Sequence, residues 1–206
     1  MTISLSETGK RFNRDWIFRK LSYEFHSGES YVITGHNGSG KSTLLQAISG
    51  SSLINEGTIS YTHNGKAIDS ESIYGQVSIC APYLEVIEEM TALEFLDFHS
   101  SFKPFLPGID ANKILEIVGL QKAANKQIRY YSSGMRQRIK LAQCILCDTE
   151  IVLLDEPCTN LDQEGIALYH SLIKNYCANR LVIVSSNDET EYSFCKHRLH
   201  ISDYKK

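Results

Sequence analysis

The chain has 206 residues, 42% of them hydrophobic, enough for one substantial core with a modest inserted lobe but not for two independent domains. Its 21 Lys and Arg are spread along the sequence against 24 Asp and Glu, and the net charge of −3 forms no basic stripe that would hold a phosphate backbone, so nucleic acid is not an expected partner. No run approaches the ~18 uninterrupted apolar residues of a spanning helix, and the N-terminus lacks a charged-then-apolar signal pattern, so a soluble intracellular protein is expected.

Residues 3–5 and 17–25 alternate as strands, and residues 26–29 turn the chain into the apolar run Tyr31-Val32-Ile33. Next comes Gly35-His36-Asn37-Gly38-Ser39-Gly40-Lys41-Ser42, a complete G-x-x-x-x-G-K-S phosphate loop, followed by the helix-like stretch Thr43-Leu44-Leu45-Gln46-Ala47-Ile48. The glycines let successive backbone N–H groups turn inward on phosphates, and the following helix adds the positive end of its dipole. Lys41 is expected to reach the β- and γ-phosphates and Ser42 to place its hydroxyl on a bridging Mg²⁺. The chain is therefore expected to bind a nucleoside triphosphate.

A hairpin is predicted at residues 57–61 and 66–68, turned by Asn64-Gly65, and a buried strand at residues 77–81. From 91 to about 147 the apolar spacing becomes helical, through Leu93, Leu96, Ile114, Leu115, Ile117, Val118 and the run from Ile139, broken at Pro104 and Pro107-Gly108. Of the six cysteines, only Cys144 and Cys147 form a close pair; they lie in an apolar helical run and are read as buried thiols, not ligands. Two apolar runs, residues 151–154 and 181–184, flank a helical stretch and are predicted to be central parallel strands. The first delivers Asp155 and Glu156 at its carboxyl end, where open α/β sheets keep their ligands. Asp155 is the candidate Mg²⁺ ligand, and Glu156 the candidate general base for the water attacking the γ-phosphate.

Tyr131-Ser132-Ser133-Gly134-Met135-Arg136-Gln137-Arg138 resembles the signature sequence of the ATP-binding cassette (ABC) family, usually Leu-Ser-Gly-Gly-Gln, with Ser132 and Gly134 in place and Ser133 and Met135 as variants. Ser-Ser-Gly also suits an ordinary helix N-cap. Thr159-Asn160-Leu161-Asp162 resembles the family's D-loop, of which Asn160 and Asp162 are the residues carried over. The resemblance implies an α/β fold: a P-loop NTPase core with a mostly parallel sheet, a small antiparallel β subdomain and an inserted helical subdomain. Residues 1–83 and 148–206 would form the core and 84–147 the helical part. It further implies a head-to-tail homodimer around two ATP molecules, in which the signature of one copy closes on the γ-phosphate held by the other. ATP would be held by residues 35–43, Gly35 through Thr43, with Phe12 stacking on adenine and Trp16 as the alternative.

Two family residues are replaced. Ala81-Pro82-Tyr83 stands where a Gln usually touches Mg²⁺ and the attacking water, and Ser186-Asn187-Asp188 stands for Ser-His-Asp. Asn187 can donate one amide hydrogen bond to the γ-phosphate but cannot carry a proton, so slow hydrolysis is expected. His197 and His200 are read as surface residues. The resemblance implies the ATPase subunit of a membrane transporter, docked on separate membrane subunits at the inner face of the cell membrane; Tyr83, Leu84, Val86 and Ile87 either supply the apolar contacts for that docking or pack inside the helical lobe. A nucleotide-binding regulator and a soluble cassette ATPase are the competing readings.

Overall fold

The computed structural model describes residues 1–205; Lys206, the last residue of the expected domain span, lies outside the described residues. In chain order the elements are β1 (Thr2–Phe12), β2 (Asp15–His26), β3 (Ser30–Thr34), α1 (Lys41–Ile48), β4 (Glu56–His63), β5 (Lys66–Ile68), β6 (Val77–Cys80), α2 (Ala92–Ser100), α3 (Ala111–Ile117), α4 (Ser133–Ile145), β7 (Ile151–Asp155), α5 (Gln163–Tyr176), β8 (Leu181–Ser185), α6 (Glu189–Tyr192) and β9 (His197–His200). They fall into two units, one of residues 1–79, 149–155 and 179–206, the other of 80–148 and 156–178.

The first unit holds both sheets. The antiparallel sheet runs β2-β1-β4-β5 and the other β6-β7-β8-β3-β9, with β7-β8, β8-β3 and β3-β9 all parallel. β1 and β2 are longer than the alternation predicts, because Phe12 pairs with Asp15 across a two-residue turn whose Asn13 has φ 55°. The Asn64-Gly65 turn falls where expected, with both residues at positive φ. Every residue of β7 and β8 is buried, as strands covered on both faces require. Ile33 of β3, Leu153 and Ile183 pack with Leu44 and Ile48 of α1 and with Ile3, Phe18 and Phe25 of the antiparallel sheet, so one core joins the two sheets. Strand β9 was not legible as a strand: His197-Arg198-Leu199-His200 buries only Leu199, and pairing with the exposed side of β3 supplies its order. His197 and His200 are exposed, His197 stacked on Tyr31 (4.8 Å between rings) and His200 Nδ1 3.1 Å from Thr34 Oγ1.

The second unit is helical, and it takes in residues 156–178, where the sequence expectation left them with the core. The physical reason is that α5 packs against α4. α2 opens with a capping box: Thr91 Oγ1 accepts from Glu94 N–H at 3.2 Å, and Thr91 N–H donates to the Glu94 carboxylate at 2.9 Å. Cys144 and Cys147 are buried. Cys147 closes a polar ring: Gln143 Nε2 donates to His99 Nδ1 (2.8 Å), which leaves the His99 proton on Nε2 facing Cys147 Sγ (3.0 Å), and Sγ donates to the Gln143 carbonyl (2.8 Å).

Burial, and then the charge of Lys103, pushes His99 from the ordinary 6.5 down to about 4. The unfolded chain therefore takes up this proton first, so the contribution of neutral His99 is complete above pH 6.5 and is lost as pH falls toward 4. Urea melts at pH 7.5 and pH 5 are expected to show a steeper acid loss for the parent than for His99→Gln; parallel losses would refute the assignment.

Candidate phosphate and catalytic site

The phosphate loop leaves the carboxyl end of β3 and ends at Gly40, the N-cap of α1, with φ 104°. A side chain at Gly40 would collide with Ile17, and one at Gly35 (φ 154°) would meet Ser39 Oγ at 2.6 Å and Ile201 Cγ2 at 2.8 Å, so glycine is required at both places. Ser39 N–H donates to the His36 carbonyl at 2.9 Å and tightens the turn. His36, Asn37 and Gly38 are exposed at the tip, and Thr43 sits half-buried in the first turn of α1. Lys41 is 5% exposed and crosses the loop, its Nζ donating to the Gly35 carbonyl at 2.9 Å. A buried ammonium held by one carbonyl is ready to exchange it for an anionic oxygen.

Asp155 is the last residue of β7 and is 3% exposed. Its carboxylate and the Ser42 hydroxyl are hard oxygen donors of the kind Mg²⁺ takes. Among the described residues no cluster of three or more His, Cys, Asp or Glu is found. Glu156 follows directly, exposed and with φ 44°. A glutamate gains nothing by itself from this left-handed backbone, which is uncommon for a residue other than glycine. Nothing in the sequence signals that feature.

Asn187 lies beyond β8, and the structure puts its amide on the loop: Gly35 N–H donates to Oδ1 at 3.1 Å, and Nδ2 donates to the Gly35 carbonyl at 2.7 Å. Of the two candidate adenine platforms, Phe12 is 51% exposed, with Lys10 Nζ 5.0 Å from its ring. Trp16 is flanked by Arg11 at 5.4 Å and by Arg19 at 4.5 Å, and Arg19 is itself fixed by two hydrogen bonds to Glu56 at 2.8 and 2.9 Å. Phe12 is thus the more exposed ring, and Trp16 is half-buried.

In the second unit Ser132 is the N-cap of α4, its Oγ accepting from Met135 N–H at 3.2 Å, with Ser133 and Gly134 opening the helix. Two residues of this helix tie it to the stretch from Pro157 to Asp162 and carried no expectation from sequence. Buried Gln137 donates to the Pro157 carbonyl at 2.7 Å, and Arg138 donates to Asp162 at 3.2 Å. Asp162 caps α5 by accepting from Gly165 N–H at 2.8 Å, and that bond, before Arg138, holds its carboxyl below the usual range. Asn160 has φ 65°, and its carbonyl would lie 3.2 Å from a side-chain carbon at Gly134. Pro82 is exposed, and its carbonyl accepts from Lys140 Nζ at 3.4 Å. Of the four apolar residues expected at a partner surface, Tyr83, Leu84 and Ile87 are exposed. Val86, at 6%, turns inward, so for this residue the packing alternative holds.

Relief of the left-handed backbone should make Glu156→Gly about 1 kcal/mol more stable than Glu156→Gln, net of the glycine's greater unfolded-state entropy. Paired urea denaturation of the two variants checks this, and equal midpoints would contradict the strain.

Residues 18–159 match the family model described as "ABC transporter". The chain is 29% identical over 196 residues to the uncharacterized ABC transporter ATP-binding protein YybJ of Bacillus subtilis, covering 94% of this chain and 89% of that one. It is 28% identical to the cytochrome c biogenesis ATP-binding export protein CcmA of Agrobacterium fabrum, covering 92% and 90%. Among solved structures, a putative ABC transporter ATP-binding protein from Pyrococcus furiosus superposes with TM-score 0.83 over 100% of both chains at 21% identity. A dimeric ATP-binding cassette bound to ADP and Pi superposes with TM-score 0.82 at 20% identity, over 97% of this chain and 94% of that one. With the phosphate loop, acidic strand end and signature-like cap already in place, this chain belongs to the ABC transporter family as one of its ATP-binding subunits.

Proposed function

We propose that this subunit binds MgATP on residues 35–43, dimerises head-to-tail around two nucleotides and drives separate membrane-spanning subunits. The observation that carries the reading is buried Lys41 folded across the phosphate loop, in the same unit as the strand-end carboxylate of Asp155. Lys41 exchanges the Gly35 carbonyl for β- and γ-phosphate oxygens, and the backbone N–H groups of the loop and of the start of α1 receive the remaining charge. Ser42 and Asp155 would hold Mg²⁺, which would supply positive charge to neutralise the charge that develops on the phosphates. Glu156 takes the proton of the attacking water. Phe12 stacks on the base. Ser132, Ser133, Gly134 and Met135 offer the N-terminus of α4 to the nucleotide of the partner copy, while Asn160 and Asp162 complete that contact.

Exposed Tyr83, Leu84 and Ile87 supply the apolar surface for a membrane subunit, which would place the protein at the inner face of the cell membrane. Among the described residues no helix is long and apolar enough to cross a membrane. Pro82 and Asn187 make turnover slow. A nucleotide-binding regulator is the second reading, favoured by the engagement of both ends of the Asn187 amide on Gly35.

Steady-state ATPase assays with light scattering separate the two. Lys41→Ala is expected to lose MgATP binding, whereas Glu156→Gln should lower turnover by about 10²-fold or more and retain an ATP-dependent dimer. Turnover insensitive to Glu156→Gln would remove the proposed base; a parent protein that binds ATP without hydrolysing it would favour the regulator.

A further inference from the structure

The ladder between β3 and β8 pairs Ser30 with Val182 through Ile33 with Ser185, and Ser186 N–H then donates to the Ile33 carbonyl at 3.2 Å. Beyond that point the two backbones diverge, β3 into the phosphate loop and β8 toward α6. The Asn187 side chain spans the gap. Its carbonyl oxygen takes the Gly35 N–H at 3.1 Å and its amide nitrogen donates to the Gly35 carbonyl at 2.7 Å, so one side-chain amide reproduces the donor and acceptor of a strand peptide. Asn187 is held in register by its neighbours: Ser186 Oγ accepts from Asp188 N–H at 2.9 Å, and Asp188 caps α6 by accepting from Thr190 N–H at 2.9 Å.

The chemistry of the side chain is specific. An amide offers a donor and an acceptor side by side and nearly parallel, whereas the two ring nitrogens of a histidine diverge and a carboxylate has no donor. The Gly35 carbonyl receives Lys41 Nζ as well as Asn187 Nδ2. When Lys41 turns to a phosphate, that carbonyl keeps one partner because Asn187 stays. Without Asn187, the departure of Lys41 would strip a buried carbonyl of both its donors.

We propose that Asn187 is a positioning residue that splints the first glycine of the phosphate loop, and so sets affinity for the diphosphate portion of a nucleotide in place of sensing the γ-phosphate. This rests on the nucleotide-binding reading above and adds the way the loop is held. A γ-phosphate sensor and a splint differ in one measurable respect. A sensor acts on a triphosphate and not on a diphosphate; a splint acts equally on both, and acts before either arrives.

The test uses the full chain with Asn187→Ala, Asn187→Asp and Asn187→His, titrated with Mg-ADP and with a non-hydrolysable ATP analogue, alongside hydrogen exchange of the Gly35 amide without nucleotide. Asn187→Ala is expected to weaken both nucleotides by the same factor, about tenfold, or 1.4 kcal/mol, and to speed exchange at Gly35. Asn187→Asp retains the acceptor for Gly35 N–H, so exchange should stay slow while both affinities fall. Asn187→His should fall between parent and Asn187→Ala. Selective loss of the ATP analogue with ADP unchanged, or unaltered Gly35 exchange in Asn187→Ala, would overturn the splint. If the parent binds neither nucleotide, the nucleotide-binding reading fails, and Gly35 exchange still decides whether Asn187 holds the loop.

Discussion

Backbone hydrogen bonds between residues 30–33 and 182–185 hold the ends of β3 and β8 level, and the chemistry of the first unit depends on that alignment. Parallel strands deliver all their carboxyl ends to one edge, and this sheet uses the edge three times: β3 releases the phosphate loop, β7 ends in Asp155, and β8 leads to Asn187. The price of such an arrangement is near-complete burial of the central strands, which β7 and β8 meet with four consecutive Ile, Val or Leu residues each before Asp155 and Ser185. A slip of one residue in β8 would invert its buried faces and carry Asn187 away from Gly35. Register and chemistry are therefore one constraint.

The second unit depends on smaller devices. Its helices begin at side-chain caps: Thr91 on α2, Asp110 on α3, Ser132 on α4 and Asp162 on α5. Two of these caps, Ser132 and Asp162, lie in the signature-like and D-loop segments. A cap and a ligand site make the same physical demand, unpaired N–H groups at a helix start, so a family motif can serve both at once. Gln137 and Arg138 then join α4 to Pro157 and Asp162, so that displacement of one would be felt by the other.

What was legible in the sequence was what depends on local pattern. The phosphate loop, the Asn64-Gly65 hairpin and the two apolar strands each follow from a few adjacent residues, and they stand in the structure where the pattern puts them. Features that depend on distant partners were not legible. His197-Arg198-Leu199-His200 is a strand only because β3 has a free side, and Val86 turns inward among residues that otherwise face solvent. The Asn187 amide was assigned to a phosphate by analogy with the family histidine, and its contacts with Gly35 depend on a residue 152 positions away that the sequence pattern does not mark. The left-handed backbone of Glu156 has no sequence mark, since glutamate is not a residue that suggests positive φ.

Trp16 is the single tryptophan of the chain, and it sits between the guanidinium groups of Arg11 and Arg19 on the antiparallel sheet. Ultraviolet emission excited at the red edge therefore originates from one indole in a strongly cationic setting, four positions along the hairpin from the exposed ring of Phe12. The protein carries its own optical label, and that label lies on the β1–β2 hairpin of the first unit. Its emission reports on the surroundings of that hairpin without any introduced dye.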